Sequence, residues 1–102
     1  IKVVAIEDNP LFPSNVPECV VAQGAENCWE DADKHYSQND ALDPIQDPNF
    51  RFVSMADLYC PGGICSSVDN HVLVYQDSHH LTTLWTLIHR ERVIEAVQDL
   101  LG

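Results

Sequence analysis

The sequence predicts an α/β fold with a short sheet, a β-hairpin and a C-terminal helix. Apolar runs at residues 2–7 and 50–55 are typical of strands, and the first has the composition of a strand buried on both faces of a parallel sheet. Apolar segments on either side of Asp69-Asn70 indicate the hairpin, with its turn at those two residues. After Thr82, apolar residues recur every three or four positions, which indicates an amphipathic helix.

The segment after the first strand is rich in proline, so we expect residues 10–19 to form an irregular loop. Loops at the carboxyl end of a parallel strand often line binding sites, which makes Leu11 and Phe12 candidates for a site wall. The alternative, which we favour, is a loop that only covers the core. A further small loop is expected over residues 20–28.

Acidic residues that begin at Glu30 favour a helix start within residues 29–38. Two prolines then predict a loop over residues 39–49. The last helix has Thr82 or Thr83 as its expected cap and Gly102 as its expected stop.

A chain of 102 residues is long enough for one domain with one modest core. Because the strand pattern begins at once after Ile1, we expect residues 1–102 to form a single unit that is the C-terminal portion of a larger domain.

Acidic residues outnumber basic ones by 16 to 5, for a formal net charge of −11. Nucleic acid is therefore not an expected partner, since phosphate binding needs clustered lysine and arginine. An anionic membrane surface would repel the chain as well. No apolar run approaches the ~20 residues of a membrane span.

The four cysteines allow three pairings into two disulfides. We prefer Cys19–Cys28 and Cys60–Cys65, because both loops are short and contain proline or glycine. Free buried thiols and a zinc site are the alternatives, although the spacings differ from those of common zinc motifs. Disulfides would indicate an oxidising compartment.

The segment 74–82 carries the candidate chemistry. Asp77 and His80 lie at a strand-to-helix turn, where the carboxylate can bind Nδ1–H of the imidazole and leave Nε2 free to take a proton from a hydroxyl. Adjacent side chains are expected to point in different directions, so His79 should not share the role of His80. A metal site formed by Asp77, His79 and His80 lacks further obvious ligands, and we expect none.

A nucleophile is missing from this motif. The six serines are Ser14, Ser37, Ser54, Ser66, Ser67 and Ser78, and none lies in a Gly-x-Ser-x-Gly or Gly-Asp-Ser setting. Ser78 is too close in sequence to act on His80.

The C-terminal half resembles a known family. The segment CPGGIC at 60–65, then VLVYQD at 72–77 and HHLT at 79–82, resembles the end of an SGNH-type domain of the kind fused behind the acyltransferase-3 domain of bacterial polysaccharide O-acyltransferases. The segment VPEC at 16–19 is similar to that family's mid-domain loop. The resemblance covers about residues 3–88.

This resemblance implies a partial SGNH-hydrolase-like (flavodoxin-like) layered fold in which Asp77 and His80 are the acid and base of a Ser-His-Asp triad. The serine and the oxyanion-hole residues would lie upstream, so this chain alone is not expected to catalyse. The implied parent moves acyl groups onto cell-envelope glycans outside the cytoplasmic membrane. It requires no cofactor or metal, and its partners are the upstream polypeptide and an acceptor glycan. The alternatives are a non-catalytic module that binds a glycan or a partner, and part of a secreted esterase.

Overall fold

A parallel strand pair, two antiparallel strand pairs and a C-terminal helix make this a mixed α/β structure. The computed structural model describes residues 2–36 and 47–101, and the side chains of residues 99–101 are left out of that description. The elements follow in the order β1 (Val3–Ile6), α1 (Val16–Gln23), β2 (Trp29–Asp31), α2 (Asp33–Tyr36), β3 (Phe50–Val53), α3 (Ala56–Tyr59), β4 (Ile64–Ser66), β5 (Val68–Asp69), β6 (Val72–Leu73) and α4 (Thr83–Leu101).

The two predicted apolar strands pair with each other. β1 lies parallel to β3, with Val3 opposite Phe50 and Ile6 opposite Val53. The expectation that β1 is buried on both faces was wrong, because Val3 and Ile6 remain nearly half exposed. Among the described residues, the sheet that contains β1 has only two strands, so β1 is an edge strand and not the central strand of a parallel sheet.

The loops predicted over residues 10–19 and 20–28 were wrong over Val16–Gln23, which forms α1. The side chain of Asn15 accepts a hydrogen bond from the backbone N–H of Glu18, and Pro17 lies in the first turn. Proline disrupts a helix interior but suits the first turn, where its missing N–H needs no partner. Gly24 ends the helix with φ at 87°.

The helix predicted within residues 29–38 is present only as the short α2, which begins at Asp33, while Glu30 lies in strand β2. β2 pairs antiparallel with β4, which places Trp29 opposite Ser66. Pairing between strands outweighs the helix-favouring charges here, and α2 is only four residues long. Most of the loop predicted over residues 39–49 lies outside the described residues.

The hairpin is present, but its turn lies one residue later than predicted. β5 and β6 are joined through Asn70 and His71, which have φ values of 48° and 67°. Two successive positive φ values are what a tight two-residue hairpin turn requires. After the hairpin, Thr82 caps α4 by accepting a hydrogen bond from the N–H of Trp85. The stop predicted at Gly102 lies outside the described residues.

Both preferred disulfides are present in the structure, Cys19–Cys28 and Cys60–Cys65. The second lies in the hydrophobic core, whose buried members are Phe12, Val16, Cys60, Cys65, Val74, Tyr75 and Trp85. Among the described residues, no helix is both long enough and apolar enough to cross a membrane.

Tyr75 gives a test of this core. Its side chain is fully buried, and its hydroxyl has no hydrogen-bond partner among the described residues. A buried unsatisfied hydroxyl costs free energy, so we expect Tyr75→Phe to leave the free energy of unfolding unchanged or raise it by up to about 1 kcal/mol. Urea denaturation measures this change.

The matched control is Tyr36→Phe, because the Tyr36 hydroxyl donates to the carbonyl of Asp8 at 3.0 Å. This variant should lose about 1 kcal/mol. A clear loss of stability in Tyr75→Phe would contradict the assignment of its hydroxyl as unsatisfied.

Candidate functional site

The candidate site is the turn that joins β6 to α4. Its two ends are bonded to each other: the N–H of Gln76 donates to the carbonyl of His80, and the N–H of Thr82 donates to the carbonyl of Val74, both at 2.8 Å. Tyr75 and Leu81 form a β-bridge between them. Residues 77–80 therefore form the loop at the end of this short antiparallel pairing, and Tyr75 anchors the pairing in the core.

Both carboxylate oxygens of Asp77 make hydrogen bonds within this loop. One carboxylate oxygen, Oδ1, accepts the backbone N–H groups of His79 at 2.8 Å and His80 at 2.7 Å. The other, Oδ2, lies 2.7 Å from Nδ1 of His80. An Asp that accepts backbone N–H groups two and three residues later is a common way to close a turn, so the local sequence accounts for the geometry.

The same bonds determine the charge of Asp77. The backbone N–H groups of His79 and His80, together with the His80 side chain, hold the pKa of the Asp77 carboxyl well below its usual range. Each of these donors stabilises the ionised form. Asp77 is therefore a carboxylate at neutral pH and can act only as an acceptor.

An acceptor at 2.7 Å fixes the tautomer of His80. In the neutral ring, Nδ1 carries the proton and donates a hydrogen bond to Asp77 Oδ2, so Nε2 keeps its lone pair. The His80 side chain is 60% exposed, which leaves the ring accessible to another molecule or domain. The contact predicted from the spacing of Asp77 and His80 is thus present, and their catalytic role stays a prediction.

The expectation that His79 and His80 point in different directions was wrong. Their ring centroids are 4.1 Å apart, and Nδ1 of His79 lies 3.8 Å from Oδ1 of Asp77. The two histidines and Asp77 offer ligand atoms within 4.8 Å of one another, so among the described residues these three form a group that could hold a metal ion. Two imidazoles and a carboxylate would suit zinc or a similar transition metal.

Three of the serines have hydrogen-bond partners other than His80. Ser78 Oγ lies 2.9 Å from Nδ1 of His79, not of His80. Ser54 donates to the carboxylate of Glu7, and Ser67 donates to the carbonyl of Ala25. Ser37 lies outside the described residues.

The loop between β1 and α1 supports the site turn, a role that sequence analysis missed. Phe12 is buried against Tyr75 with ring centroids 4.8 Å apart, so it belongs to the core and not to a site wall. Leu11 is exposed and does line a cavity of about 420 Å³ at the carboxyl end of β1. Asn9 lines the same cavity and donates from its side-chain amide to the carbonyl of His79. The position of Asn9 directly after a strand was the only signal in the sequence.

Comparison with protein families identifies the class to which this fold and turn belong. The family model described as "SGNH domain (fused to AT3 domains)" matches residues 1–92. The chain therefore belongs to the SGNH domain family of the kind fused to acyltransferase-3 domains, as the resemblance indicated, and is an acyltransferase-associated SGNH module. Searches of curated proteins and of solved structures returned no match.

Proposed function

We propose that this chain is the C-terminal part of an SGNH-like domain in a bacterial cell-envelope polysaccharide O-acyltransferase. Asp77 and His80 supply the acid and the base of a Ser-His-Asp triad, and an upstream segment of the same polypeptide supplies the serine. The observation that carries the proposal is the 2.7 Å contact between Asp77 Oδ2 and His80 Nδ1, in a turn where Asp77 also accepts two backbone N–H groups.

The geometry supports the following reaction. Nε2 of His80 takes the proton of the serine hydroxyl as the serine oxygen attacks the acyl carbon of the donor. The imidazolium that forms is stabilised by the Asp77 carboxylate, and it returns the proton to the leaving group as the donor's carbon–oxygen or carbon–sulfur bond breaks. In the second half, His80 takes the proton of a glycan hydroxyl, whose oxygen attacks the acyl-serine. The serine leaves with the proton, and the glycan ester is released.

Exposed apolar surface supports the proposal that the domain is larger than this chain and layered. On α4, Leu84, Leu87, Ile88 and Ile94 are between 45% and 58% exposed. The β1–β3 sheet leaves Val3 and Ile6 exposed in the same way. Apolar residues at this density are covered in most folded domains. An upstream half with additional strands and helices would bury them.

Two disulfides support a location outside the cytoplasm, where such bonds persist. In that location the domain would lie on the outer side of its membrane acyltransferase partner domain. The acceptor would be an envelope glycan.

The test is covalent labelling of the longer polypeptide that contains this chain, using a fluorophosphonate that reacts with activated serines. We expect one labelled serine upstream of this chain, and loss of labelling in His80→Gln. His89→Gln is the matched control, because His89 also lies against a carboxylate, with Nε2 3.3 Å from Oδ2 of Asp69, but outside the site turn. It should label as the wild type does.

Equal labelling of His80→Gln and wild type would refute the assignment of His80 as the base. A folded polypeptide with no labelled serine would instead favour a non-catalytic module that binds a glycan or a partner. Labelling in a polypeptide without membrane spans would favour a secreted esterase.

A further inference from the structure

One loop binds three consecutive carbonyl groups of the site turn. The N–H of Val16 donates to the carbonyl of Asp77 at 3.2 Å, and the N–H of Phe12 donates to that of Ser78 at 2.8 Å. The side-chain amide of Asn9 donates to the carbonyl of His79, 70 residues away in the sequence. The loop 9–16 therefore determines how three peptide groups of the turn are oriented.

These carbonyls share rigid peptide planes with the N–H groups that Asp77 binds. A peptide group is planar and trans, so its C=O and N–H point in opposite directions. The carbonyl of His79 belongs to the same plane as the N–H of His80, which donates to Asp77 at 2.7 Å. The carbonyl of Ser78 shares its plane with the N–H of His79, which donates to Asp77 at 2.8 Å.

Each of these two peptide groups therefore lies between a loop donor and the Asp77 carboxylate. Asn9 binds the carbonyl end of the 79–80 peptide, and Asp77 binds its N–H end. Hydrogen bonds in such a chain polarise one another, so a donor at the carbonyl end strengthens the N–H at the other end. The orientation of the carboxylate in turn sets the distance from Oδ2 to the His80 ring.

We infer that Asn9 is a positioning residue for the Asp77–His80 pair, acting through the peptide group between His79 and His80. Its importance for catalysis rests on the proposed function. Its effect on the geometry of the turn does not rest on the proposed function, because the hydrogen bonds involved all lie within this chain.

Asn9 differs from the other two donors in using its side chain. Phe12 and Val16 donate from the backbone while their own side chains are buried in the core, so packing holds them in place. The backbone on both sides of Asn9 fixes its position. Two residues before it, the N–H of Glu7 donates to the carbonyl of Val53, and the residue after it, Pro10, is fully buried. A side-chain donor can be removed without changing the backbone, which makes Asn9 open to a clean test.

The experiment compares Asn9→Ala with Asn27→Ala in the purified protein by NMR. Asn27 is the matched control, because its amide also donates to a backbone carbonyl, that of Gln23 at 2.7 Å, which belongs to α1 and not to the turn. In Asn9→Ala we expect the amide proton of His80 to move upfield, and the titration midpoint of the Asp77 carboxyl carbon to rise toward its ordinary value. Asn27→Ala should leave both signals unchanged.

A kinetic measurement in the longer polypeptide adds a second readout. Loss of one net hydrogen bond corresponds to about a fivefold change in an equilibrium, so we expect kcat to fall about fivefold in Asn9→Ala with KM unchanged. Asn9→Gln keeps an amide donor, so it should recover part of the loss of kcat. The same variant replaces Asn9→Ala in the NMR comparison if Asn9→Ala does not fold.

Wild-type Asp77 and His80 signals in Asn9→Ala would overturn the inference, as would equal changes in Asn27→Ala. The NMR result stands apart from catalysis. If His80 proves not to be the base, the carboxyl titration still decides whether Asn9 positions the pair.

Discussion

We expect Asp77→Asn in the longer polypeptide to lower kcat for the proposed acyl transfer by about 10⁴-fold, the size of effect typical when a triad carboxylate becomes an amide. The reason is the tautomer of His80. The Asp77 carboxylate accepts a hydrogen bond from Nδ1–H, with Oδ2 and Nδ1 2.7 Å apart, whereas an Asn amide can donate its own N–H to Nδ1. Nε2 would then carry the proton, and the ring could not take one from the serine.

The fold should survive this change. The side-chain oxygen of Asn can still accept the backbone N–H groups of His79 and His80, which close the turn. A steady-state assay with an activated acyl ester measures kcat, and circular dichroism checks that the variant is folded.

The pH dependence follows from the lowered pKa of Asp77. A group whose pKa is lower in the folded state contributes stability above its unfolded value, near pH 4, and that contribution is lost as pH falls through the lowered pKa. Between pH 5 and 8, Asp77 stays ionised, so its own titration should not change the ratio of wild-type to Asp77→Asn rates.

Asp69→Asn is the control for the loss of kcat expected in Asp77→Asn. Asp69 also faces a histidine, with Oδ2 lying 3.3 Å from Nε2 of His89, but the pair lies outside the site turn. Its kcat should stay within about threefold of wild type, since partly exposed ion pairs contribute little. Similar losses in Asp69→Asn and Asp77→Asn would show that the effect is not specific to the dyad.

The site divides into a part that the sequence could predict and a part that it could not. Asp77 and His80 are three residues apart, so one turn brings them together, and local spacing is enough to predict the contact. Asn9 lies 70 residues from its partner at His79, and no local pattern relates them. Only the fold, which places the end of β1 next to the turn, brings the two together.

The errors in the fold have a similar origin. The proline content of residues 10–19 predicts a loop, although one of these prolines, Pro17, suits a helix start because it follows the cap at Asn15. Acidic residues near Glu30 suggested a helix, but strand pairing with β4 depends on residues more than 30 positions later. By contrast, the helix α4 and its cap at Thr82, one of the two predicted cap residues, depend on residues close together in the sequence, and both were predicted correctly.

Removal of the Cys60–Cys65 disulfide should lower the free energy of unfolding by about 2–4 kcal/mol, and by more than removal of Cys19–Cys28. Two effects oppose each other in this comparison. The loops span sequence separations of 5 and 9 residues, so chain entropy favours the longer one by only about 0.5 kcal/mol. Burial favours the shorter one, because Cys60 and Cys65 are 3% and 0% exposed and both pack in the core with Tyr75, whereas Cys28 is 4% exposed but its partner Cys19 is only partly buried.

Truncation of two core side chains leaves a cavity, which typically costs more than 1 kcal/mol and so outweighs the entropy difference. We therefore expect Cys60→Ala/Cys65→Ala to unfold at lower urea concentration than Cys19→Ala/Cys28→Ala, and both to unfold before the wild type. A reducing agent should destabilise the wild type and leave a variant without cysteines unchanged. Four titratable thiols in the untreated protein, or the reverse order of the two variants, would contradict the assigned pairing or its place in the core.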